Sequence, residues 1–166
     1  MGQYGFVTLQ VTGAAAKRRK FATWGETIHS LAPAWELIAE DLRNDAANQF
    51  TAEGGVFRTG HWAPLRPATV KDRQRKGYPG AHPILQRRGD LLQSLTQQGA
   101  TGHTEEITAT SLTFGTRYPT AAFHQFGTRK MAARQILGIS WQRQSGIVQR
   151  LNEYIQQTIR GAGLQA

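Results

Sequence analysis

Between Thr23 and Phe50 the large apolar residues recur at intervals of three and four: Trp24, Ile28, Leu31, Trp35, Ile38, Leu42, Ala46 and Phe50. At 3.6 residues per turn this spacing lays one stripe along a helix, and a stripe with two tryptophans and a phenylalanine must be covered by other elements. Whatever the chain folds into has to supply that cover. Thr23 and Glu26 match a capping box at the start of the pattern. Pro33 lies inside it, so a short helix is expected to end there and a long one to begin with Pro33 in its first turn. Gly54 and Gly55 close the long helix. Glu36, Glu40, Asp41 and Asp45 fall off the stripe and are expected on a solvated face.

The cover has to come from the rest of a chain of 166 residues, a length suited to one domain over 1–166 with a single core. Residues 1–22 read as a strand, alternating over 3–11, followed by a basic turn at Lys17, Arg18, Arg19 and Lys20. Residues 58–88 read as a long loop rich in proline and glycine, interrupted by a short helix at about 67–76 with Pro67 as its first residue. Beyond Gly89, the runs DLLQSLTQQ, EEITATS and SLTFGTR read as three strands of an antiparallel meander. A short helix is expected over Tyr118 to Phe126, closed by Gly127. A terminal helix is expected to start from Ser140 and carry Ile147, Leu151, Tyr154, Ile155 and Ile159 to Gly161. The resulting expectation is α+β: one antiparallel sheet packed with a long helix of the N-terminal half and a C-terminal helix, plus a long basic loop.

Cysteine is absent, which removes disulfides, thiolate nucleophiles and cysteine metal sites. No apolar run approaches the roughly 18 residues of a membrane span, and the start lacks the pattern of a signal peptide, so no membrane partner is expected. His29, His61, His82, His103 and His124 are scattered without metal-ligand spacing, and no phosphate-binding or nucleophile-elbow motif occurs. Asp90, Glu105 and Glu106 are the carboxylates available for acid–base work, and the Glu105–Glu106 pair reads as a solvated strand edge. No catalytic residue, metal or cofactor is expected. An enzyme would need a pocket gathering His124 with a carboxylate.

The formal charge of +9 is concentrated. Residues 58–88 hold eight basic residues, Arg58, Arg66, Lys71, Arg73, Arg75, Lys76, Arg87 and Arg88, against one acidic residue. These eight are the candidate partner-binding residues, with the middle of the loop exposed and Trp62, Leu65, Ile84 and Leu85 anchoring its ends. Such a patch suits an acidic protein surface or a phosphate backbone. A nucleic-acid binder interleaves aromatics with its basic residues, and only Trp62 and Tyr78 do so here.

Four short signatures follow one another: Trp62-x-Pro64-Leu65; Ile84-Leu85 with Gly89-x-Leu91; Tyr118 with His124-Gln125-Phe126-Gly127; and Ala133-Arg134-x-x-Leu137-Gly138. Their order and spacing over about residues 24–160 resemble the phage virion morphogenesis family of Mu-like and P2-like tail completion proteins. The resemblance implies a small α+β structural subunit without catalysis that assembles into a ring, hexameric by that resemblance. Its implied place is the head-proximal end of the tail or the head–tail neck of the virion, reached from the host cytoplasm. Its implied partners are further copies of itself, tail-tube or connector proteins, and genome DNA passing through the ring. The family pattern P-A-R-P is replaced here by Ala132, Ala133, Arg134 and Gln135, and the basic run at 17–20 has no counterpart in the signatures. Arg134 is expected to hold carboxylate or carbonyl groups with its planar fork, and Gly127 to close its helix in a left-handed conformation. Against this assembly reading stands a nucleic-acid module gripping phosphates through 58–88. Steep salt dependence separates the two.

Overall fold

The computed structural model describes residues 5–10, 29–57 and 60–161. Their elements are β1 (Gly5–Gln10), α1 (Ala32–Thr51), α2 (Pro67–Arg75), α3 (Asp90–Thr96), β2 (His103–Ile107), β3 (Ser111–Thr116), α4 (Ala121–Phe126) and α5 (Trp141–Gly161). The architecture is α+β, with one antiparallel sheet of three strands in the order β1-β3-β2. The expected capping box and the basic run at 17–20 lie outside the described residues.

The stripe becomes the spine of the core. Along α1, Trp35, Ile38, Leu42, Ala46 and Phe50 are all buried, and Pro33 sits in its first turn, where its missing N–H costs nothing. Leu91 and Leu95 of α3, Leu112 and Phe114 of β3, Ile136, Leu137 and Ile147 complete the same apolar cluster. Trp62 meets Phe50 edge-on, with ring centroids 5.2 Å apart. At the far end of the basic segment, buried Ile84 is pinned by its amide, which donates to Glu53 Oε1 at 2.7 Å, while Gln86 Nε2 donates to the Phe50 carbonyl at 3.1 Å.

The segment 90–98 departs from expectation. It forms the helix α3 rather than the first strand of a meander, because Leu91, Ser94 and Leu95 share one buried helical face. The third strand of the sheet is instead β1, which pairs antiparallel with β3 (Leu9 opposite Leu112), while β2 pairs on the other side (Glu105 opposite Phe114). The expected helix over Tyr118 to Phe126 begins only at Ala121, after a turn in which the Ala121 amide donates to the Tyr118 carbonyl at 2.9 Å.

Two expectations about acidic residues are also corrected. Asp41 and Asp45 do not sit on a solvated face but bind α5. Arg143 donates to Asp45 through Nε (2.7 Å) and Nη2 (2.8 Å), and Arg150 donates to Asp41 through Nε (2.7 Å) and Nη2 (3.2 Å). The charge of α5 is matched to α1, and only Glu36 and Glu40 stay exposed. Glu105 is not a solvated edge residue. Its side chain is largely buried, pairs with Arg43 and accepts from Gln98 Nε2 at 2.7 Å. Burial pushes its carboxyl up, and the bonds from Arg43 and Gln98 outweigh that to leave it below its ordinary value. Glu106, the next residue, points to solvent.

Candidate functional site

Three of the four signatures interlock. Trp62 Nε1 donates to the Gln135 carbonyl at 2.9 Å, and buried Gln49 Nε2 donates to the same oxygen at 2.8 Å. In return Arg134, 6% exposed, reaches back with Nε to the Ala63 carbonyl (2.9 Å) and Nη2 to the Pro64 carbonyl (3.0 Å). The planar fork thus reads two successive carbonyls, a geometry that a lysine could not reproduce. Gln125 joins the third signature. Its Oε1 accepts the Ile136 and Leu137 amides, at 2.9 and 3.1 Å, and its Nε2 donates to the Leu137 carbonyl at 2.9 Å. One side-chain amide therefore satisfies an extended segment as a neighbouring strand would. Nothing in the spacing pointed to Gln49 or Gln135, which act through tertiary placement alone. Gly138 packs beside Phe57, whose Cγ would lie 3.1 Å from an added Cβ.

Gly127 has φ 72 and ψ −177, so it closes α4 at positive φ but outside the left-handed helical well expected for it. That turn delivers the chain to Arg134, whose amide donates to the His124 carbonyl at 2.7 Å. It also leaves Phe126 of the signature 63% exposed, with Phe123 beside it at 55%. Residues three apart share a helix face, so the pair forms one exposed aromatic patch. Trp141 and Val148, seven apart on α5, form a second, at 62% and 55%. Of these four residues only Phe126 belongs to a signature.

The basic segment is less uniform than its composition. Arg58 lies outside the described residues. Arg73 is buried, contrary to the exposed array expected, and donates through Nη2 to the Pro83 carbonyl at 3.1 Å. Arg75 and Lys76 both bind Asp72, at 2.7 and 2.9 Å, and hold its carboxyl below its ordinary value. Arg88 pairs with Asp90 at 2.9 Å, and Arg87 lies over the Tyr78 ring at 5.3 Å from its centroid. Arg66 and Lys71 remain exposed without an ion pair among the described residues.

Beside this segment a cavity of about 320 Å³ opens between α2, the start of α3 and the loop before α4, lined among others by Leu65, Arg73, Leu85, Gly89, Tyr118 and His124. Asp72 and Asp90 also line it, so His124 and carboxylates do share a pocket. They do not form a relay. Asp90 is bound by Arg88 and by the Tyr118 hydroxyl at 3.0 Å, Asp72 is taken by Arg75 and Lys76, and buried His124 Nδ1 has no hydrogen-bond partner among the described residues. Burial, reinforced by the Arg134 charge, pushes the His124 imidazole below its ordinary value and favours its neutral form. No cluster of potential metal ligands occurs among the described residues, and no described helix is long and apolar enough to cross a membrane.

The model of the phage virion morphogenesis family matches residues 16–156 of the chain. The match spans all four signatures. No curated protein and no solved structure matches.

Proposed function

The chain belongs to the phage virion morphogenesis family, which gives it a structural role in building a phage particle, and we propose more narrowly that it is a tail completion or neck subunit that works as a ring. In this reading it has no catalytic task, assembles in the host cytoplasm and ends in the virion between head and tail. Its partners are further copies of the chain and the adjoining tail-tube or connector proteins. The observation that carries the proposal is the exposure of Phe123 and Phe126 on α4 and of Trp141 and Val148 on α5. Two separate apolar patches suit a head-to-tail contact, in which each copy offers a different face to each neighbour and the set closes into a ring.

The nucleic-acid reading draws less support. Of the eight basic residues proposed for phosphate binding seven are described, and among these Arg75, Lys76 and Arg88 are already ion-paired within the chain while Arg73 is buried. Solution mass measured across protein and salt concentration, followed by imaging, tests the proposal. A multiple of the 18.4 kDa chain that persists into moderate salt is expected. A monomer at every concentration overturns the ring, and a tight DNA complex that weakens steeply with salt puts the nucleic-acid module in its place.

A further inference from the structure

We propose that the cavity between α2, the start of α3 and the loop before α4 is an acceptor for a carboxylate-bearing side chain of a partner polypeptide. Arg73 is its key. The residue is 4% exposed, yet among the described residues its guanidinium has no carboxylate partner, its Nη2 donates to the Pro83 carbonyl, and its buried Nε has no acceptor. Desolvating a cation is costly unless a counterion offsets it, and an idle buried N–H adds to the cost. A carboxylate entering the cavity, which Arg73 lines, would supply the missing counterion.

The walls cannot supply that counterion themselves. Asp72 is already bound by Arg75 and Lys76, and Asp90 by Arg88 and the Tyr118 hydroxyl. Arg87, stacked over Tyr78 rather than ion-paired, brings a second guanidinium to the same lining. Between these groups Leu65, Leu85 and Leu91 present hydrocarbon, Leu85 from a backbone with φ 59, a left-handed conformation that costs a leucine energy. A short methylene stem ending in a carboxylate matches this mixture, whereas duplex DNA carries its phosphates on a convex ridge that meets open basic faces. Arg guanidinium groups bind carboxylates through paired, charge-assisted hydrogen bonds.

That the donor is a polypeptide rests on the assembly reading; the preference of the cavity for a carboxylate does not. Glutarate is therefore the probe, titrated into the full chain while the side-chain NMR resonances of Arg73 and His124 are followed, with glutaramide as its neutral counterpart and inorganic phosphate as a competing anion. Saturable shifts with glutarate are expected. Arg87→Gln, an exposed change, should weaken them roughly tenfold, the scale of one charge-assisted hydrogen bond. Arg73→Gln should abolish them, and the Arg87 variant keeps the test decisive if that chain does not fold. No saturable shift, equal shifts with glutaramide, shifts with phosphate alone, or indifference to Arg87→Gln would each overturn the proposal. A chain that binds glutarate yet stays monomeric loses the ring and keeps the acceptor site, and a ring that ignores glutarate does the reverse.

Discussion

Gly127 shows how much one residue can carry. A Cβ added there would lie 2.8 Å from the Ala133 amide nitrogen and 3.0 Å from the Met131 carbonyl oxygen, distances that real Cβ atoms do not tolerate without movement. The backbone at φ 72 and ψ −177 also belongs to a region that only glycine occupies freely. Gly127→Val should therefore lower stability by roughly 1–3 kcal/mol from strain alone, more if the clash is not relieved, read as a lower midpoint in urea. An unchanged midpoint would remove Gly127 from the junction. At this scale the sequence was informative where the residue type is itself exceptional: a glycine after a helix, or an arginine set among backbone carbonyls. It was silent on Gln49 and on the bonding of Gln135, because an amide can bond to water, to itself or to any backbone, and only the fold decides which.

Among the elements, the long helix was legible because five stripe positions, Trp35, Ile38, Leu42, Ala46 and Phe50, repeat one period along it, and α5 because Ser140 caps it: the Arg143 amide donates to Ser140 Oγ at 3.1 Å. The run 90–98 was not, since Leu91, Leu92 and Leu95 satisfy both a short strand and two turns of helix. Competition for β3 decided it. With β1 returning to pair along one edge and β2 along the other, the sheet needs no strand from this run. The acidic face of α1 misled for a related reason, since charges off the apolar stripe look alike whether they meet water or another helix. Asp45→Ala should expose the difference. It would leave Arg143 with Asp41 as its remaining carboxylate and remove a two-point bond, at a cost of about 1–3 kcal/mol in denaturant unfolding. Glu40→Ala on the exposed side of the same helix should change stability by less than about 0.5 kcal/mol. Equal effects from the two variants would mean that the α1–α5 pairs add nothing beyond surface charge.

For the whole molecule, the question is whether the proposed assembly would be driven by charge or by apolar area. Several of the 20 basic side chains are taken up inside the fold, with Arg134 on two carbonyls, Arg143 and Arg150 on α1, and Arg73 in a cavity wall. The exposed aromatic pair on α4 has no such commitment. Fully burying a phenylalanine contributes about 1.5–3 kcal/mol, so losing both rings from a contact should weaken association by well over tenfold at each interface. Phe123→Ser with Phe126→Ser should shift the solution mass toward the monomer at a given concentration, and because both side chains already face solvent, the melting of the monomer should move little. Arg66→Gln with Lys71→Gln, which removes exposed charge without an internal partner, should leave the mass nearly unchanged in moderate salt, where surface charges are screened beyond about 8–10 Å. The opposite pattern, assembly lost with the charges and kept without the rings, would make the basic segment the organising surface and the aromatic patch incidental. In the proposed ring, Phe126, left in the open by signatures that knit the chain's own loops together, is where a neighbour would dock, and the two double variants ask which chemistry does the docking.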